Sequence, residues 1–98
     1  MSPKNKKKLL ILRKKLDYID NKLLNLVKIR ANYVKNVLLL KEYKKEIIDK
    51  KRINIILKNI RSKSIKKGID PKITNRIWIN MIYAFIDYEY RNFKKKRK

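Results

Sequence analysis

LLILRKKLDYIDNKLLNLVKIRANYVKNVLLLK, residues 9–41, carries Leu9, Leu12, Leu16, Ile19, Leu23, Leu26, Arg30, Tyr33, Val37 and Leu40 at alternating spacings of three and four. That is a heptad seam, the pattern of a helix packed lengthwise on another helix. No Gly or Pro interrupts it, and Pro3 lies before it, where proline is tolerated. Arg30 alone breaks the apolar run. A charge in such a slot costs free energy unless something pairs with it.

Working outward, Arg30 and Lys41 are eleven residues apart, about three turns or roughly 16 Å along a helix axis, and so share a face. Two long cationic side chains there can reach a small anion lying between them. Arg13 lies 28 residues before Lys41, about 42 Å on a straight helix, and cannot reach the same ligand. An antiparallel second copy of the helix brings its own Arg13 beside Arg30 and Lys41. The seam therefore predicts a two-fold homodimer with sites shared between chains.

The chain has 98 residues, enough for one domain with a modest core. It has no Cys and no His, which excludes disulfides, thiol chemistry, the usual zinc sites and histidine acid–base catalysis. The apolar run at residues 9–12 is too short for a signal-peptide core, and no stretch is suited to span a membrane, so the cytoplasm is the expected location. A net charge of +22 suggests nucleic acid or an anionic surface. Lys, Ile and Asn, however, number 23, 16 and 10, half the chain, and their codons are A/T-rich, so genome composition is a sufficient explanation. The lysines spread over the whole chain, and only non-specific nucleic-acid binding is expected. Seven arginines survive this bias, and Arg where Lys is the cheaper choice hints that a planar guanidinium matters.

Read in order, residues 1–8 form a basic N-terminal arm, residues 9–93 one helical domain, and residues 94–98 a basic tail. Helix one is expected from about Lys6 to Lys41. Arg13, Asp20, Val27, Val34 and Lys41 form a column at spacing seven beside the seam, in which Asp20 pairs with Arg13 within or between chains, or is a plain surface charge. Residues 42–48 are a charged connector, with Ile47 and Ile48 placed to tuck against the core. Asp49 is an N-cap for a helix from Lys50 to Lys66 with Arg52 in its first turn. Gly68 suits a helix C-terminus, and Asp70-Pro71 starts helix three, which runs to about Phe93. Ile73, Ile77, Trp78, Met81, Ile82, Phe85 and Tyr88 are expected to supply its buried surface, with Tyr83 also in the core. Glu89 follows Trp78, Ile82 and Phe85 by eleven, seven and four residues and lies on their apolar face. There desolvation favours a neutral carboxyl group and nearby cations a charged one. No strand pattern, repeat, Gly-rich phosphate loop or metal-ligand cluster is present, and no cofactor is called for.

Arg13, the Ile19-Asp20 pair, Arg30, Lys41, the Asp49/Arg52 helix start and Glu89 resemble, in order and spacing, the all-α chorismate mutases. The segments LRKKLDYID at residues 12–20 and IWINMI at residues 77–82 look like that family's first and last helices. The resemblance implies an all-α fold, an intertwined antiparallel dimer of three-helix chains with a long first helix. Arg13 from one chain and Arg30 from the other would bind the carboxylates of chorismate. Lys41 and Glu89 would hydrogen-bond the ether oxygen, and Asp49 and Arg52 would line the site. The implied activity is an isomerase, rearranging chorismate to prephenate in aromatic amino-acid biosynthesis. At Ile53 many mutases place a glutamate. That departure, with a slightly short connector, resembles the related isochorismate-pyruvate lyases. The alternative from another class is a basic helical module that binds nucleic acid.

Overall fold

The computed structural model describes residues 1–94, so residues 95–98 of the expected basic tail lie outside the described residues. The described chain is all-α. Helix α1 spans Pro3–Leu40, a short 3-10 turn spans Lys44–Glu46, α2 spans Lys50–Lys66 and α3 spans Pro71–Asn92. None of these helices is long and apolar enough to cross a membrane.

Helix α1 begins three residues ahead of the expected Lys6. Ser2-Pro3 is itself a start signal: the Asn5 backbone N–H donates to Ser2 Oγ at 3.1 Å, and Pro3 takes the first helical position, where its missing N–H costs nothing. The structure divides into two compact units, residues 1–33 and residues 34 onward. The first unit is the greater part of α1, and its apolar residues have no core of their own. Leu12 is 55% exposed, Leu16 60%, Leu23 52% and Leu26 60%. The seam is thus an open stripe within the chain, with Leu9 and Arg30 half-buried. Asp20 makes no ion pair with Arg13 among the described residues. Seven residues of helix separate them by roughly 10 Å, beyond the reach of a short aspartate.

The second unit holds the core. Leu38 from the end of α1, Ile47 from the connector, and Ile82 and Ile86 from α3 are buried together, and Ile53, Ile56 and Leu57 of α2 pack against them with Tyr88 and Phe93. Of the two connector isoleucines, only Ile47 tucks in, while Ile48 stays exposed. On α3 the buried positions are Thr74, Ile82, Ile86 and Glu89, with Trp78, Met81, Phe85 and Tyr88 half-buried. Ile73 and Ile77 are about half exposed, and so is Tyr83, contrary to the expectation that they are core. The buried stripe follows the 3.6-residue period through positions 74, 78, 82 and 86, which turns Ile73 and Ile77 about 100° to one side.

The α2–α3 corner is built as the sequence indicates. Gly68 takes φ +72°, the Ile69 N–H bonds Ser64 O at 2.9 Å, and the Gly68 N–H bonds Ile65 O at 3.1 Å, the paired bonds of a Schellman cap. Asp70 then caps α3 by accepting from the Lys72 N–H at 2.9 Å. A buried hydroxyl pair, Ser64 Oγ and Thr74 Oγ1 at 2.7 Å, ties the two helices together. Ser64 donates its proton to Ile60 O at 2.6 Å, so in the hydroxyl pair Thr74 is the donor and Ser64 the acceptor.

Candidate functional site

Lys41 is the first residue beyond α1. Its backbone N–H still bonds Leu38 O at 3.1 Å, so the last turn of the helix fixes where the side chain starts. The ammonium group donates to Glu89 Oε2 at 3.0 Å and makes a longer contact, 3.5 Å, with the Ile47 carbonyl. Glu89 is supplied by α3, four residues after Phe85 and seven after the buried Ile82, and its side chain is only 8% exposed against 17% for Lys41. The pair is therefore shielded from water but open on the Lys41 side. Leaving either charge alone there would cost roughly 3–5 kcal/mol, the usual figure for one partner of a buried pair. An ammonium has three N–H donors. With one on Glu89 and one toward Ile47, a third remains for a ligand.

An open cleft of about 570 Å³ lies on the Lys41 side of this pair, lined by Lys41, Glu46, Ile48, Asp49, Lys50 and Lys51 but not by Glu89. That volume lies within the range of small-molecule sites. Asp49 stands at the cleft and closes the start of α2, its Oδ1 accepting the Arg52 backbone N–H at 3.0 Å. Three lysines against two carboxylates give the lining a positive balance, suited to an anion. The Arg52 side chain is exposed and is not part of this lining.

Of the six residues singled out in the sequence, the second unit thus brings Lys41 and Glu89 into contact and places Asp49 at the adjoining cleft. Arg13, exposed, and Arg30, half-buried, belong to the first unit. Seventeen residues of continuous helix hold them about 26 Å apart. The two arginines of one chain cannot close on the same small molecule. Sequence reasoning passed over Glu46, Lys50 and Lys51. The signal for Glu46 is its spacing of three from Tyr43 and four from Glu42, which lets its carboxylate reach back to their N–H groups.

The family model described as chorismate mutase type II matches residues 12–90, a span that contains all six of these positions. No curated protein and no solved structure matches the chain.

Proposed function

The chain belongs to the chorismate mutase type II family, and from that premise we propose that it rearranges chorismate to prephenate, acting as a homodimer with two shared active sites. The observation that carries this reading is the Lys41–Glu89 contact, a shielded ion pair whose lysine faces an open cationic cleft. The rearrangement is unimolecular. It needs no nucleophile, and none of the thiol or imidazole groups that the chain lacks. What accelerates it is holding the substrate in a compact conformer and stabilising charge that develops on the ether oxygen.

In this reading Lys41 keeps one N–H on Glu89 and turns another to the ether oxygen. Glu89 gives a second hydrogen bond to that oxygen when its carboxyl group is protonated. Arg13 from one chain and Arg30 from the other clamp the two carboxylates with planar forks, while Asp49 lines the site and Arg52, exposed in the first turn of α2 and outside the cleft lining, turns toward the bound substrate. The roughly 26 Å between Arg13 and Arg30 within a chain supports this sharing. The dimer is further supported by the exposed seam: a second copy laid along α1 takes Leu12, Leu16, Leu23 and Leu26 out of water, worth about 1.5–3 kcal/mol for each side chain fully buried. A cytoplasmic enzyme of aromatic amino-acid biosynthesis is the cellular setting of this proposal.

One observation favours a second reading, an isochorismate-pyruvate lyase of the same fold. Ile53, next to Arg52, is half-buried and packs on the core cluster, so that position offers no carboxylate to a substrate hydroxyl. Purified protein incubated separately with chorismate and isochorismate, with the products identified, decides between them. Prephenate from chorismate is the expected result. Pyruvate released from isochorismate without any prephenate would establish the lyase, and no turnover of either would overturn both.

A further inference from the structure

Where α1 ends, the chain must leave the helix, cross to α2 and keep Lys41 aimed at Glu89. The Glu42 and Tyr43 backbone N–H groups are among those with no helical acceptor here. Both donate to a single oxygen, Glu46 Oε1, at 3.2 and 3.0 Å. The Glu46 N–H bonds back to Tyr43 O and the Ile47 N–H to Lys44 O, both at 3.0 Å, so the carboxylate and the 3-10 turn close residues 42–47 into one small ring of hydrogen bonds. Ile47, 3% exposed, anchors the end of that ring in the core, and its carbonyl is the one that Lys41 Nζ approaches.

Glu46 also lines the cleft. A carboxylate beside a site for a dianion opposes binding by like-charge repulsion. What this carboxylate contributes instead is an acceptor for two N–H groups that would otherwise lack a partner in the structure. We propose that Glu46 is a positioning residue of the active site: it fixes the connector so that Lys41, Ile47 and Asp49 hold their places around the cleft, at the expense of a standing negative charge at its wall. The proposal rests on the chorismate-binding reading above.

The two roles separate in two variants. Glu46→Gln keeps the Oε1 acceptor and removes the charge. Glu46→Ala removes both. Glu46→Ala is expected to lower kcat for chorismate by roughly 10- to 100-fold, the scale of a misplacement of about 1 Å in a catalytic group. Glu46→Gln is expected to restore kcat to within about threefold of the parent and to lower KM, because the repulsion is gone while the connector stays closed. A readout independent of turnover is amide hydrogen exchange at Glu42 and Tyr43, fast in Glu46→Ala and protected in the parent and in Glu46→Gln. Parent-like kcat together with parent-like exchange in Glu46→Ala would overturn the proposal. So would a Glu46→Gln variant as impaired in kcat as Glu46→Ala. If the parent protein turns over no chorismate, the function proposed above fails, while the exchange measurement still decides what Glu46 does to the connector.

Discussion

Lys41 Nζ and Glu89 Oε2 meet at 3.0 Å across 48 residues of sequence, and the contact joins the exit of α1 to the last turns of α3. An exposed Arg91–Asp87 pair, one helical turn apart on α3, offers a comparison. The exposed pair adds at most a few tenths of a kcal/mol. The Lys41–Glu89 pair is different in kind, because both charges are largely shielded from water, Glu89 more than Lys41.

Lys41→Ala and Glu89→Ala are each expected to destabilise the fold by roughly 3 kcal/mol, the lower end for a shielded pair, because Lys41 keeps some solvent contact. The double variant should lose clearly less than the sum, since removing the second charge relieves the first. Urea unfolding at one fixed protein concentration checks this, and strict additivity would show that the two groups are not coupled.

The assembly is tested by complementation. Arg13→Ala and Lys41→Ala homodimers should each be inactive. Unfolded together and refolded, they should regain activity, up to about a quarter of the parent's if half the chains form mixed dimers with one intact site. Sedimentation should show a dimer at micromolar concentration. A monomer there would remove the basis for a shared site, because Arg13 and Arg30 of one chain are too far apart.

The hydroxyl pair between α2 and α3 yields an asymmetric prediction. Ser64→Ala strips the acceptor from the buried Thr74 hydroxyl, whose remaining contact is Pro71 O at 3.4 Å, and should cost about 1–2 kcal/mol. Thr74→Val leaves the Ser64 bond to Ile60 O intact and should cost less than half as much. Equal losses in thermal unfolding would mean that the proton order is the reverse.

Most of the fold was legible because its punctuation is local. Asp49, Gly68 and Asp70-Pro71 act through backbone groups within a few residues, and each ends or starts a helix where its chemistry requires. The start of α1 was misplaced because lysines at residues 4–8 look like a solvated arm, although Ser2 and Pro3 already satisfy the helix entrance. Ile73, Ile77 and Tyr83 illustrate a second failure. Apolar character places a residue on a helix, but which side meets the core depends on where the neighbouring helices lie. At the site, Lys41 and Glu89 stood out as charges beside apolar faces. Glu46 did not, because its partners are backbone N–H groups, which only its spacing from Glu42 and Tyr43 hints at.

The charge of +22 makes its own test. If it reflects composition, binding to mixed-sequence DNA or RNA should be weak, independent of sequence and abolished by moderate salt. Arg30→Lys keeps the charge but loses the planar fork, so it should harm chorismate turnover and leave that binding unchanged. Tight binding to a defined site that survives salt would favour a nucleic-acid function.

Glu89 decides whether the contact to Lys41 is part of the chemistry or only part of the fold. In the structure Glu89 is the acceptor, with Lys41 the donor. The ether-oxygen role requires the opposite act, since an oxygen that is gaining negative charge needs donors. A carboxyl group donates only when protonated, so an activity that depends on this donor declines toward alkaline pH. Glu89→Gln keeps an N–H donor in nearly the same place and cannot ionise. It should remain active and lose the alkaline decline. Glu89→Ala offers no donor and should lose roughly 100-fold or more at every pH, on the scale of removing one oxyanion-stabilising donor. The check is a set of pH–rate profiles for the three proteins, with circular dichroism confirming that each is folded across the range. If Glu89→Gln retains the parent's alkaline limb, another group titrates, and Glu89 serves only to hold Lys41 in place.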